Sequence, residues 1–214
     1  MKTKDAASGS SLDIYFVLDI IEKVLVVYLF VAIVLRILPQ AHGDRAIIDC
    51  LLLVSEGAAA FLILTRRPTR NASLRVYDWT VTAIGTLFPL LVSPTTTEPL
   101  APLWLCGMVM CLGFILQISA KLVLRRSFGL VPANRGVKIG GPYRFVRHPM
   151  YAGYLMTHVS FFLANPSLLN FAIYATALAA QCLRLLAEER LLKEDPAYQA
   201  FMETTRYRLV PFVF

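Results

Sequence analysis

The chain has 214 residues, 57% hydrophobic and only 16% charged, with a mean hydropathy of +0.61 and a formal charge of +7. A soluble domain carries roughly a quarter charged residues, so the composition excludes an ordinary soluble globule and describes an all-α, polytopic membrane helix bundle forming one compact unit. The basic residues flank apolar runs, a pattern of membrane orientation rather than of nucleic-acid binding.

Residues 1–11 lack the early apolar core and small-residue cleavage site of a signal peptide and are expected to be a retained cytoplasmic N-terminus. A first span is expected over Leu12–Leu38, where Asp19 and Lys23 have the i,i+4 spacing of a pair. Further spans are expected over Ala46–Thr65, Val76–Val92 and Leu103–Leu124, which makes 12–124 a four-span region. Asp49, Glu56 and Asp78 inside these spans point to interhelical pairing or interfacial placement. Cys50, Cys106, Cys111 and Cys182 lie in apolar segments without metal-ligand spacing and read as small buried hydrophobes.

The link Arg66–Arg75 holds four arginines and no acid, whereas Ser93–Pro102 has no Lys or Arg. By the positive-inside rule the first link is cytoplasmic, together with both termini and the basic loop Arg125–Arg147, and the second is external. Residues 125–214 form the expected C-terminal region. Within it, Met150–Ala164 is apolar but only about 22 Å long as a helix. The turn signal Asn165-Pro166-Ser167 and the returning helix Asn170–Ala187 complete a helical hairpin whose first arm barely spans or is re-entrant. The tail from Glu188 to Phe214 mixes charge with Leu191, Tyr198, Phe201 and Phe212, as expected of an amphipathic helix followed by an interfacial segment.

Two polar clusters fall at one membrane face, where such groups usually bind something. The first is Gly140–Gly153, reading GGPYRFVRHPMYAG. Its glycines and Pro142 permit a sharp turn or a close backbone approach. Pro149 suits the first turn of the next helix, with His148 just before a helix start that favours anions. Arg144 and Arg147 read equally as basic membrane flanks. The second cluster holds Gln181, Arg184 and Glu188, spaced i, i+3, i+7 on one helix face. It forms either an intrahelical Arg–Glu pair or a clamp in which Arg184 forks an anion and Glu188 takes an ammonium. His158, alone on an apolar helix, reads as a satisfied interior residue.

The order GGPYRFVRHPMYAGYL, apolar hairpin, R-x-x-x-E-E-x-x-L, then DPAYQAFMETTRYRLVPF resembles the integral-membrane isoprenylcysteine carboxyl methyltransferase family, itself related to the phospholipid N-methyltransferases. The resemblance covers about Leu130–Phe214. It implies S-adenosyl-L-methionine as methyl donor in a cytoplasm-facing pocket built from the last helices. Tyr143, His148, Pro149, Met150 and Tyr151 match cofactor contacts. The loop residues Arg135, Gly136, Val137 and Lys138 match further contacts in a more variable stretch. Glu188 matches the acid that binds the cofactor, and Arg184 the catalytic arginine that binds the substrate.

The expected activity is methyl transfer to a lipophilic acceptor, a small molecule or a prenylated one, drawn from membrane lipid and most readily a carboxylate. An ionised carboxylate needs no general base, so alignment and exclusion of water would do the work. A phospholipid N-methyltransferase is the alternative; it needs a base, for which His148 or Glu189 could be proposed, with nothing in the spacing to pick either. An NADPH-dependent membrane reductase and a non-enzymatic scaffold are the remaining readings. No metal is implied, and the oligomeric state is left open.

Overall fold

The computed structural model describes residues 8–65, 75–124 and 137–213. Among these, seven α-helices follow in order: α1 Ser8–Ile37, α2 Ala46–Thr65, α3 Val76–Leu87, α4 Leu103–Leu124, α5 Pro149–Ala164, α6 Leu168–Leu192 and α7 Pro196–Thr204. No strand occurs among the described residues. Three helices have the length and apolar composition to cross a bilayer: the segment Gly43–Thr65 that contains α2, α4, and α6. Of the other expected spans, α1 carries Asp19, Glu22 and Lys23 near its middle, and Asp19 is paired with Lys23 at 2.8 Å. The third is divided: α3 has 12 residues and gives way to a 3-10 turn, Phe88–Leu91, containing Pro89, whose ring cannot continue an α-helix. Large apolar side chains such as Leu35, Ile47, Phe61, Trp104 and Leu122 point outward, as a surface solvated by lipid tails allows.

The bundle is not organised as a simple hairpin at its C-terminal end. Helix α5 packs chiefly against α4, and α6 chiefly against α3. The α4–α5 contact is close because two glycines meet there. A Cβ on Gly153 would lie 2.6 Å from Gly113 O and 2.6 Å from Gln117 Cγ, and one on Gly113 would lie 2.9 Å from Gly153 O. Small residues let backbones approach where the hydrophobic effect does not drive helices together. The same interface carries a polar line across three helices: Ser55 bonds Gln117 Oε1 at 3.5 Å, and Gln117 Nε2 donates to Thr157 Oγ1 at 3.2 Å. On the other side, Gln181 of α6 donates to the Gly85 carbonyl of α3 at 3.3 Å.

The end of the bundle opposite the α5 start is fastened by side chains holding loop backbone. Asn170 Nδ2 donates to Ser93 O and Asn165 O, both at 2.8 Å, and Asn165 Oδ1 accepts from Thr95 N at 3.1 Å. Arg36 and Arg45 donate to carbonyls of the 91–97 segment. Ser167 caps α6 by accepting from Asn170 N at 3.0 Å, so the expected turn at 165–167 is present. Asp78 pairs across helices with Arg190 at 3.7 Å, as its position in a span suggested. Cys106 is buried as expected, but Cys50 is exposed on the outer face of α2.

Gly153→Ala is expected to overpack the α4–α5 crossing and to destabilise by about 1–3 kcal/mol. Gly107→Ala, where an added Cβ meets nothing within 4 Å, serves as the control. Thermal unfolding in detergent compares the two; equal midpoints would show that the crossing yields freely.

Candidate functional site

The GGPYRFVRHPMYAG stretch folds as a 3-10 turn, an irregular link and a helix start. Gly141 adopts φ +58°, a left-handed conformation that glycine reaches without a Cβ penalty. Residues 141–144 form a 3-10 turn, and Tyr143 is buried within it. Arg147 and His148 then lie beside the C-terminal tail: Arg147 N donates to Tyr207 O and His148 N to Arg208 O, each at 2.9 Å. Pro149 begins α5 in its first turn, where its missing N–H does no harm, with His148 at the N-cap position.

The side chains of this segment converge on Glu189, which is 1% exposed. Glu189 Oε1 accepts from Arg147 Nε at 2.8 Å and lies 3.2 Å from His148 Nε2, and Oε2 accepts from Arg208 Nε at 3.0 Å. Arg147 Nη1 also donates to the carbonyls of Thr205 and Arg206 at 3.3 and 3.1 Å. Arg147 is therefore a buried structural cation, whereas Arg144 is exposed as a flanking arginine would be. The carboxylate bonded to the two residues before the α5 start is the protein's own.

The neighbouring Glu188 has a different role. It is half-buried and accepts from the Tyr151 hydroxyl at 3.1 Å through Oε2. One turn back on α6, Arg184 lies over the Tyr151 ring, 5.5 Å from its centroid, within the range of a cation–π contact. Tyr143 is close enough that Glu188, after burial itself, holds its phenol well above its ordinary pKa of 10. Both phenols beside Glu188 thus stay protonated and able to donate.

Arg184, Tyr151 and Met150 also line a narrow cavity of about 30 Å³ that runs between α2, α3, α5 and α6. Gln181 lines it as well, so the shared face of Gln181 and Arg184 expected from their spacing faces one space. The cavity reaches Tyr154, His158 and Glu56. Beyond it, between α1 and α3, lies a largely apolar groove of about 170 Å³ lined by Leu25, Val26, Trp79, Ala83 and Leu87, together with Glu22; Thr86 borders both spaces.

Of the expected site residues, the structure brings together Tyr143, Met150, Tyr151, Arg184 and Glu188. His148 and Pro149 are buried behind them, His148 turned to Glu189 and neither lining the cavity. Val137 is partly buried against the core around Tyr143, and Lys138 is exposed. Arg135 and Gly136 lie outside the described residues. Reading the sequence missed the anchoring role of Glu189, Arg147 and Arg208, and missed that Glu56 shares a cavity with Arg184. The signals available for the first group were the doubled glutamate and the arginine of the tail. His158 departs from expectation: its Nε2 is buried with no hydrogen-bond partner among the described residues.

Residues 102–198 match the family model described as phospholipid methyltransferase. This segment indicates a membrane methyltransferase dependent on S-adenosylmethionine, the donor such proteins generally use, and with the three apolar helices it fits an integral membrane protein. The match begins at α4, ahead of the stretch that resembles the isoprenylcysteine enzymes, and it names phospholipid rather than isoprenylcysteine chemistry. No curated protein matches the chain significantly.

Glu189→Gln leaves Arg147 buried without its counter-ion, and losing one partner of a buried pair costs on the order of 3–5 kcal/mol. Glu188→Gln touches only a half-buried hydrogen bond and is expected to cost less than about 1.5 kcal/mol. Chemical or thermal unfolding of the two variants checks the contrast, and equal losses would remove Glu189 from its anchoring position.

Proposed function

We propose that this protein transfers the methyl group of S-adenosylmethionine to a lipid acceptor at the membrane face where α5 begins, taken here as cytoplasmic. The observation that carries this reading is the juxtaposition of Glu188, Tyr151 and Arg184, the last two of which line a cavity within the bundle. We take α1 and α3 to lie in the membrane as well, giving four spans ahead of the C-terminal region.

The residues present fit such a donor. A half-exposed carboxylate flanked by two phenols, at Glu188, suits an ammonium group. Buried Met150 and Tyr151 offer apolar surface beside it. When bound, the donor supplies an electrophilic methyl on a sulfonium sulfur. The acceptor's lone pair forms the new bond to that carbon, while the carbon–sulfur electron pair returns to sulfur. The chain's contribution is placement: Glu188 holds the donor, Arg184 holds an anionic group of the acceptor with its planar fork, and the surrounding helices exclude water. Proximity of this kind supplies on the order of 7–11 kcal/mol toward the barrier. The groove between α1 and α3 suits the acceptor's hydrocarbon, which would enter sideways from the bilayer and meet the cavity at Thr86.

Two acceptor classes present an anion to Arg184. A lipophilic carboxylate would itself be the nucleophile. A phospholipid would offer its phosphate to Arg184 and, once its ammonium has lost a proton to solvent, the lone pair of its amine to the methyl group, and the match to the phospholipid methyltransferase family favours this second class.

Calorimetric titration of the detergent-purified protein with S-adenosylhomocysteine should show micromolar binding that is lost in Glu188→Ala. Binding of NADPH instead would overturn the methyltransferase reading for this site. Arg184→Lys should retain donor binding while lowering methyl transfer by about tenfold or more, because a lysine cannot supply the bidentate fork. Loss of both in parallel would make Arg184 a structural residue.

A further inference from the structure

The face of the bundle where α5 begins carries a surface that the cavity and the donor contacts do not use. Two segments lie side by side there, the 137–148 stretch and the 205–213 tail. Thr205 Oγ1 donates to Tyr143 O at 3.4 Å and Arg147 Nη1 to Arg206 O at 3.1 Å. The amides of Arg147 and His148 donate to Tyr207 O and Arg208 O, each at 2.9 Å. The joined segments turn Tyr143, Val146 and Leu209 inward, where they are buried. They leave Ile139, Phe145, Val210, Phe212 and Val213 outside, with Phe145 73% and Phe212 87% exposed.

The level of this surface is set by α4. A Cβ on Gly141 would lie 3.0 Å from Val123 Cγ2, and Val123 belongs to the last turn of α4, a helix long and apolar enough to cross a bilayer. The 141–144 turn therefore sits beside the end of a span. The tail is shaped to meet the bilayer at that level. Val213 N donates to Val210 O at 3.2 Å, and Phe212 within this turn has φ +68°, a conformation that a bulky residue seldom adopts. Its ring lies 5.1 Å from that of Tyr207, centroid to centroid, yet remains almost wholly outside the protein. Large apolar groups held out by a strained turn are unfavourable unless an apolar phase receives them.

The charge on the same segments is of one sign. Residues 137–148 and 205–213 contain Lys138, Arg144, Arg147, Arg206 and Arg208 and no Asp or Glu. Glu189 takes Arg147 and Arg208. Lys138, Arg144 and Arg206 are exposed, and among the described residues they form no ion pair. Exposed cations beside apolar side chains at the edge of a span complement anionic headgroups over hydrocarbon. We propose that the two segments form a docking surface for anionic phospholipid of the surrounding bilayer. Phe145, Phe212 and Val213 enter the interfacial hydrocarbon, and Lys138, Arg144 and Arg206 meet headgroup phosphates. This lipid is not the acceptor: phosphatidylglycerol has neither amine nor carboxylate to methylate, and the surface stands whichever reaction the site performs. It bears on the site through Arg208, because the tail held against lipid is the one that completes the Glu189 network.

The test uses the full chain carrying Phe212→Trp, reconstituted in phosphatidylcholine vesicles. Brominated phosphatidylglycerol or brominated phosphatidylcholine is included at the same small mole fraction, and the wild-type emission of Trp79 and Trp104 is subtracted. The emission added by the substitution should be quenched roughly twofold or more strongly by the anionic lipid than by the zwitterionic one. Added salt should erode that difference by screening. Combining Lys138→Gln, Arg144→Gln and Arg206→Gln should abolish the difference, while quenching by brominated phosphatidylcholine remains and reports a tail still in place. Absence of quenching by either lipid would put Phe212 in water and overturn the docking surface. Equal quenching by the two lipids in the single variant would overturn it too, as would a preference for the anionic lipid that survives the three substitutions.

Discussion

The Glu189 carboxylate is the interaction on which the site depends. It is nearly inaccessible, yet it gathers Arg147, His148 and Arg208 from two separated segments onto α6. Burying a carboxylate and a guanidinium is unfavourable unless the geometry satisfies them. Here each carboxylate oxygen has at least one partner, and the remaining Arg147 donors reach the tail carbonyls. The backbone bonds from Arg147 and His148 to Tyr207 and Arg208 then fix the tail in register. Thr205 adds a hydroxyl bond to the Tyr143 carbonyl at 3.4 Å. Three parts of the chain are thereby locked around the start of α5, and Tyr143, Met150 and Tyr151 take their positions from that lock.

With the start of α5 fixed, two interhelical contacts set the width of the cavity. The Gly113–Gly153 approach draws α5 onto α4, and the Gln181–Gly85 bond draws α6 onto α3. The two arms of the C-terminal hairpin are thus pulled toward different neighbours. A space between them and α2 follows, and the residues that line it are disproportionately polar for a membrane interior. Packing alone does not require Glu56, His158, Gln181 and Arg184 to share one void, and hydrocarbon in their place would be cheaper. This is the physical reason for assigning the void to a ligand.

Much of the bundle was legible in the sequence because apolar length and terminal signals are local properties. Helices α2 and α4 have the expected bounds, and Pro149 starts α5 where its chemistry predicts. Helix α6, capped by Ser167, instead runs Leu168–Leu192, longer at both ends than the expected Asn170–Ala187, and takes Glu188 and Glu189 into the helix rather than the tail. The shortened α3 reflects Pro89, a signal that was present but was outweighed by the apolar run around it. The Arg184–Glu188 face was legible from helical periodicity, as was its nearness to the GGPYRFVRHPMYAG stretch. What escaped was the particular partners that contacts between distant segments set. Arg147 looks like a membrane-flanking arginine until the tail folds over it. His158 looks like a satisfied core residue because nothing local shows that its nitrogen faces a void.

The adjacent pair Glu188-Glu189 shows how one helix turns two identical residues to different ends. Successive positions on an α-helix differ by about 100°, so when one carboxylate points into the junction of α5 and the tail, the next must point elsewhere. Glu189 meets two guanidiniums and an imidazole, and its charge is consumed in holding the structure together. Glu188 meets a phenol and solvent, so its charge is available to a ligand. The division is imposed by Arg147 and Arg208, because whichever glutamate they capture is withdrawn from binding. The structural anchor therefore selects which carboxylate can act, and it does so by fixing the rotation of α6, which also aims Arg184 and Gln181 at the cavity.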